Sequence, residues 1–146
     1  MASPIVHTVE IERPPAEVFP YVTDPSRFGE WQAGVVGGST EGAAAVGARC
    51  TMTRKVGGVQ RTSTSEITAY EAPSRWAIHG IDGPIRADVS VLVEPVDAGQ
   101  HSRVTIELDF HGHGVGRLLA PMVTSQGRKE VPVSCQNLKQ RLEAGV

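Results

Sequence analysis

The sequence predicts an α+β protein in which a seven-stranded antiparallel sheet is followed by a long C-terminal helix, with two short helices after the first strand. Three observations predict this architecture. Residues 34–112 alternate between apolar and polar positions and are interrupted by turn residues. The last thirty residues repeat apolar side chains at helical spacing. Prolines follow the first strand where helices begin. At 146 residues, we expect one domain, 1–146, with its own core.

The N-terminal segment predicts one strand and the two short helices. Residues 4–12 alternate in polarity as an edge or terminal strand does. Pro14 and Pro15 end that strand, and their fixed φ suits the first turn of a helix. Asp24 is the predicted N-cap of a second short helix, with Pro25 as its first residue and Trp31 near its end.

The middle of the chain predicts six strands separated by Gly-, Asp- and Pro-containing turns. They are expected at residues 34–39, 47–56, 59–70, 75–81, 85–96 and 102–111. Side chains two residues apart share a face of a strand, so one face of this sheet is expected to be apolar. The side chains predicted to share a face are, strand by strand, Cys50, Met52, Arg54 and Val56; Arg61, Ser63, Ser65 and Ile67; Trp76 and Ile78; Val89, Val91 and Val93; and Val104, Ile106, Leu108 and Phe110.

The C-terminal helix carries an apolar stripe formed by Val131, Cys135, Leu138 and Leu142. A second apolar patch near its start consists of Leu118, Leu119, Met122 and Val123. Between the stripe and this patch, the helix face that continues the stripe carries or adjoins Thr124, Gly127 and Arg128, where a filled core would place leucine or isoleucine.

A helix that is apolar at both ends and small or polar at its middle predicts a void between helix and sheet. The alternative is that Gly127 lets the helix backbone approach a strand closely and that large sheet residues fill the gap.

Three segments of the chain resemble a known superfamily. Residues 11–31, which run from a strand through Pro14-Pro15 to Asp24-Pro25 and Trp31, resemble the opening of the helix-grip proteins. Residues 64–76 are similar to their central strand-turn-strand, and residues 116–123 to the start of their long helix. This superfamily comprises START-type lipid carriers, polyketide cyclases and aromatases, and binders of hydrophobic molecules. The chain is most similar in sequence pattern to its bacterial cyclase/dehydrase-like subgroup.

The resemblance implies a curved sheet wrapped around the C-terminal helix and enclosing a cavity. It also implies that the second short helix, with Trp31, forms part of the cavity rim. Aromatase and cyclase members of the superfamily use an arginine and hydroxyl groups on oxygenated rings, which implies such a role for Arg54 here. No cofactor is expected.

Composition excludes several classes of partner. Fourteen basic and sixteen acidic residues are mixed along the chain, so nucleic acid is not an expected partner. No apolar run approaches the ~20 residues that cross a bilayer, and no leader peptide is evident. Cys50 and Cys135 read as reduced, buried side chains. We therefore expect a soluble, cytoplasmic protein, as a monomer or homodimer.

Catalytic motifs for hydrolysis are absent from the sequence. It contains no His-Glu-x-x-His, no Cys-x-x-Cys and no Gly-x-Ser-x-Gly. His111 and His113 form a His-x-His, but they alternate with Phe110 and therefore face solvent, with no third ligand evident. No metal site is predicted.

The predicted function is binding of a lipid- or polyketide-like hydrophobic small molecule in an internal cavity, as a carrier or sequestering protein. The alternative is a polyketide cyclase, aromatase or dehydratase in which Arg54 stabilises an oxyanion or enolate. A protein-interaction module is disfavoured because the outer faces of the strands are polar. The predicted ligand-binding residues are Trp31, Met52, Arg54, Ser63, Ser65, Trp76, Ile78, Val91, Phe110, Met122, Val123 and Gln126.

Overall fold

A computed structural model describes residues 4–56 and 58–145 of the chain. The strands are β1 (Ile5–Ile11), β2 (Val35–Thr40), β3 (Arg49–Val56), β4 (Val59–Glu71), β5 (Arg75–Gly80), β6 (Ile85–Val96) and β7 (His101–Gly112). The helices are α1 (Pro15–Val22), a 3-10 helix (Pro25–Glu30) and α2 (Gly116–Glu143). The predicted fold class is confirmed, including the two short helices and the long last helix.

The seven strands form one antiparallel sheet in the order β1-β7-β6-β5-β4-β3-β2. Strands β2 to β7 form a meander, whereas β1 pairs with β7, so that Val9 lies opposite Val104. The segment from β1 to β2 must therefore cross from one edge of the sheet to the other, and α1 and the 3-10 helix lie in that crossing. A register shift between Ile67 and Ala69 interrupts the pairing of β4 with β5; such bulges increase strand bending.

The two short helices begin where the prolines predict. Pro15 occupies the first turn of α1, and the Asp24 carboxylate accepts a hydrogen bond from the Ser26 backbone N–H at 3.0 Å, with Pro25 as the first residue of the 3-10 helix. The 3-10 helix packs on β2 at Gly38. A Cβ built on Gly38 would lie 2.8 Å from the Pro25 carbonyl oxygen, so only glycine permits this approach.

Helix α2 packs on β1, β6 and β7. Its C-terminal half buries Cys135, Leu138 and Leu142, as predicted. Its N-terminal half does not bury its apolar side chains, since Leu118 is 85% exposed and Met122 is 65% exposed. The second apolar patch of α2 thus lies on the surface. An exposed apolar patch was not expected, because the outer faces of the strands are polar.

The core lies between the inner face of the sheet and α2. Alternate residues of the central strands are buried there, among them Trp76, Ile78, Val91, Val93 and Ile106. These residues lie on the faces predicted from period-two alternation. Arg61, predicted to share a face with Ile67, is exposed instead, and the side chain of Val56 is outside the described part of the structure. No helix in residues 4–56 and 58–145 is long and apolar enough to cross a membrane.

Candidate ligand cavity

A partly open cavity lies between the inner face of the sheet and the middle of α2. Its volume, measured as the space available to the centre of a water-sized sphere, is about 80 Å³. Its wall is mainly apolar and is formed by residues of α1, the 3-10 helix, β3, β5, β6, β7 and α2, together with Trp31 and the two residues that follow it. The lining residues are Val22, Phe28, Trp31, Gln32, Ala33, Met52, Arg54, Trp76, Ile78, Val89, Val91, Ile106, Leu108, Phe110, Gly127, Glu130, Val131, Ser134 and Cys135.

The size of the cavity limits what it holds without rearrangement. Around 10–15 Å³ of such volume holds one water, and an apolar cavity of about 150 Å³ holds benzene. Binding sites for drug-sized molecules occupy about 300–1,000 Å³. The cavity of about 80 Å³ is therefore smaller than one aromatic ring requires, and a larger ligand enters only if wall side chains or α2 move.

Gly127 explains how the cavity and a close helix-sheet contact coexist. Gly127 lines the cavity, as the void predicted at the middle of α2 requires. A Cβ built on it would also lie 2.9 Å from Ile5 Cδ1 and 3.1 Å from Phe110 Cε2. Both interpretations of this glycine thus hold in part: large sheet residues approach the helix here, and they narrow the void without closing it.

Seven of the predicted ligand-binding residues lie together in the cavity wall. They are Trp31, Met52, Arg54, Trp76, Ile78, Val91 and Phe110. Of the four aromatic side chains in the wall, Phe28 makes edge-to-face contacts with Trp31 and Trp76, with ring centroids 5.8 Å and 6.0 Å apart. Their ligand-binding role stays a prediction.

Five predicted residues are placed elsewhere. Ser63 and Ser65 lie opposite Met52 and Cys50 in the sheet, half-buried, outside the cavity lining. The other three, Met122, Val123 and Gln126, are on the N-terminal half of α2; Met122 and Gln126 are exposed and Val123 is half-buried, and none of them lines the cavity. Arg128, predicted on or beside the face of α2 that continues the stripe, is exposed.

Arg54 is the cationic side chain of the cavity wall. Its Nη2 donates a hydrogen bond to Gln32 Oε1 at 3.2 Å. Burial lowers the pKa of the Arg54 guanidinium below its usual value, and the negative charge of Glu130 opposes that shift. An arginine remains protonated under such conditions, so the cavity holds one positive charge with a carboxylate facing it from α2.

Three polar lining residues were not predicted: Gln32, Glu130 and Ser134. Ser134 is buried, and its Oγ accepts a hydrogen bond from the Ala33 backbone N–H at 3.0 Å, which ties α2 to the segment after the 3-10 helix. The Glu130 carboxylate accepts from Gln126 Nε2 at 2.9 Å. Glu130 and Ser134 follow Gly127 by three and seven residues, so helical spacing placed both on the cavity side of α2.

The two cysteines are free and buried. Cys135 lies in the cavity wall, and burial raises the pKa of its thiol from 9.0 to about 11. Burial also raises the pKa of the Cys50 thiol, with the Thr40 side chain opposing the shift. Both thiols are thus neutral and weakly nucleophilic near neutral pH.

Histidines form a polar cluster on the opposite face of the sheet. Asp88 contacts His79 through one carboxylate oxygen and His111 Nε2 through the other, the latter at 2.9 Å. Asp109 lies 3.5 Å from His111. Within residues 4–56 and 58–145, no group of three or more histidine, cysteine or acidic residues has an arrangement that could hold a metal ion.

Sequence comparison identifies the family. Residues 4–143 match the family described as "Polyketide cyclase / dehydrase and lipid transport". The chain belongs to this family. No curated protein matches the chain by sequence.

Solved structures share the fold at low sequence identity. The protein TTHA0849 from Thermus thermophilus is 17% identical, with a TM-score of 0.78 over 99% of this chain and 100% of that chain. The Zhui aromatase/cyclase from Streptomyces sp. R1128 is 12% identical, with a TM-score of 0.80 over 97% of this chain and 93% of that one. The di-domain ARO/CYC BexL from the BE-7585A biosynthetic pathway is 17% identical, with a TM-score of 0.74 over 97% of this chain and 47% of that one.

Proposed function

We propose that the protein binds a hydrophobic small molecule, lipid- or polyketide-like, between the sheet and α2, as a carrier or sequestering protein. The observation that carries the proposal is the apolar cavity between the sheet and α2, whose wall holds four aromatic residues and one arginine. Flat apolar walls with a few polar groups suit an aromatic or polycyclic ligand. The family description, which includes lipid transport, supports the same function.

Ligand loading requires the cavity to widen from about 80 Å³. Glycines at positions 112 and 114, directly before α2, and prolines at positions 121 and 132 within it give the helix places to bend. A binder of this kind closes on its ligand and excludes water from it.

A cyclase, aromatase or dehydratase is the second candidate, and Arg54 together with Glu130 favours it. In a reaction that forms an enolate, the Arg54 guanidinium would stabilise the developing negative oxygen. Glu130 is the acidic residue of the cavity wall and would supply a carboxylate for proton transfer. Two structures with the same fold are described as aromatase/cyclases, which supports this candidate.

Native mass spectrometry of the freshly purified protein tests the binding function. We expect a fraction of the protein to carry a noncovalent adduct that is lost on denaturation. Ala33 lines the cavity, so Ala33→Phe should fill it and abolish the adduct, whereas Ala44→Phe in an exposed loop should retain it. An adduct retained equally by both variants would contradict binding in this cavity.

Arg54→Ala separates the carrier from the enzyme. We expect it to abolish cyclisation of a synthetic polyketone thioester, followed by absorbance of the aromatic product, while the affinity for a co-purified ligand changes only a few-fold. Arg61→Ala is the matched control, because Arg61 pairs with Arg54 in the sheet but is exposed. Equal loss of binding and turnover, or no effect on either, would remove Arg54 from the mechanism.

A further inference from the structure

One hydrogen-bond donor in the cavity wall has no acceptor. Trp31 is only 4% exposed, and its indole Nε1 has no hydrogen-bond partner in the described part of the chain. An indole nitrogen donates and cannot accept. Buried polar groups in proteins are nearly always paired, so an unpaired one requires an explanation, and in a cavity wall an acceptor brought by a ligand supplies one.

The ring is held in place by contacts that do not involve Nε1. The Trp31 backbone N–H donates to the Phe28 carbonyl at 3.2 Å, which ends the 3-10 helix. The Trp31 carbonyl accepts from Asn137 Nδ2 of α2 at 3.3 Å. Phe28 packs edge-to-face on the indole ring. The donor is therefore positioned before any ligand enters.

Arg54 is a second hydrogen-bond donor in the same part of the cavity wall. Gln32, the residue after Trp31, accepts one hydrogen bond from Arg54. A guanidinium has five N–H groups, so one bond to Gln32 leaves Arg54 able to donate to another acceptor. Glu130 also lines the cavity, and its negative charge acts on Arg54. An anionic ligand would bring a second negative charge beside that carboxylate.

We propose that Trp31 is a specificity-determining residue that selects apolar aromatic ligands carrying a neutral hydrogen-bond acceptor, such as a ketone oxygen, which accepts from the indole N–H with Arg54 as a second donor. This inference rests on the proposed function, that the cavity binds a small molecule. A ring without an acceptor leaves the indole N–H unpaired, and a carboxylate is repelled by Glu130. Both should bind more weakly than the ketone.

The test uses two probes of nearly the same shape, acetophenone and α-methylstyrene, which differ in having a ketone oxygen or a methylene group. Because the chain has two tryptophans, its ¹H–¹⁵N spectrum contains two indole signals, from Trp31 and Trp76. We expect acetophenone to shift the Trp31 Nε1–H signal downfield and to bind at least about threefold more tightly than α-methylstyrene, the size of one net hydrogen bond. Benzoate should bind more weakly than acetophenone.

Trp31→Phe removes the donor and keeps a ring. In this variant acetophenone and α-methylstyrene should bind with equal affinity, an outcome that a merely structural role of Trp31 would not produce. Equal affinity of the two probes for the unsubstituted protein, or an unmoved Trp31 signal when acetophenone binds, would overturn this inference alone. The absence of binding by either probe would overturn the proposed function and this inference with it.

Discussion

At the scale of single residues, the charges of the cavity come from two elements that only the fold brings together. Arg54 is on β3 and Glu130 is on α2. Alternation in β3 identified Arg54, because it follows Cys50 and Met52 at even spacing. Nothing local pairs Glu130 with it, since both reach the cavity wall only where α2 crosses the sheet.

Removing the negative charge of Glu130 should change which ligands bind in the cavity. We expect Glu130→Gln to raise the affinity for benzoate by about three- to tenfold relative to acetophenone, because Arg54 then lacks its balancing carboxylate. Isothermal titration measures both affinities, and Glu17→Gln on the exposed side of α1 is the control. A parallel change in both affinities would argue against charge selection.

The buried Cys135 thiol should make stability depend on alkaline pH. Its pKa rises from 9.0 to about 11 on folding. Below pH 9 the thiol is protonated in both states. Between pH 9 and 11 the unfolded state releases the proton while the folded state keeps it, so the free energy of unfolding falls as pH rises.

Urea denaturation from pH 8 to 11 measures this slope. Cys135→Ala should reduce it. A residual slope remains from Cys50, whose thiol pKa is also raised by burial, and from Tyr21, whose pKa is raised to about 12 by burial and by its hydrogen bond to Glu30. Ser134→Ala, the neighbouring residue without a titrating group in this range, should keep the full slope. The same slope in both variants would show that Cys135 does not contribute.

At the scale of elements, the strands were the most predictable part and the two halves of α2 the least. Strand bounds agree with prediction to within two residues, because alternation and turn residues act locally. In α2, Leu118 and Gly127 are nine residues apart, which at 3.6 residues per turn places them about 180° apart. Leu118 and Met122 of the second apolar patch are therefore out of phase with Gly127, and apolar composition alone wrongly suggested that Met122 would face the cavity.

The same substitution in the two halves of α2 should have very different effects. Leu138 is fully buried and Leu118 is 85% exposed. We expect Leu138→Ala to lower the free energy of unfolding by about 2–5 kcal/mol, and Leu118→Ala to change it by no more than about 0.5 kcal/mol. Chemical denaturation of both variants checks this. Comparable losses would mean that the N-terminal half of α2 packs against something.

At the scale of the whole molecule, the fold could be predicted from the sequence, but the volume of the cavity could not. The small and polar residues in the middle of α2 indicated a void, and Gly127 does line the cavity. Its volume depends on how far the Phe110 and Ile5 side chains reach towards the helix, which is a property of tertiary packing. Family membership follows from the whole chain, whereas the ligand depends on a few wall residues.

The central claim is that hydrophobic ligands bind between the sheet and α2, not on the exposed apolar patch of α2. The methionines separate these sites, because Met52 lines the cavity and Met122 is on the surface. With ¹³C-methyl methionine labelling, titration with toluene should shift the Met52 methyl signal and leave that of Met122 unchanged. A shift of Met122 without one of Met52, or no shift of either, would contradict the account.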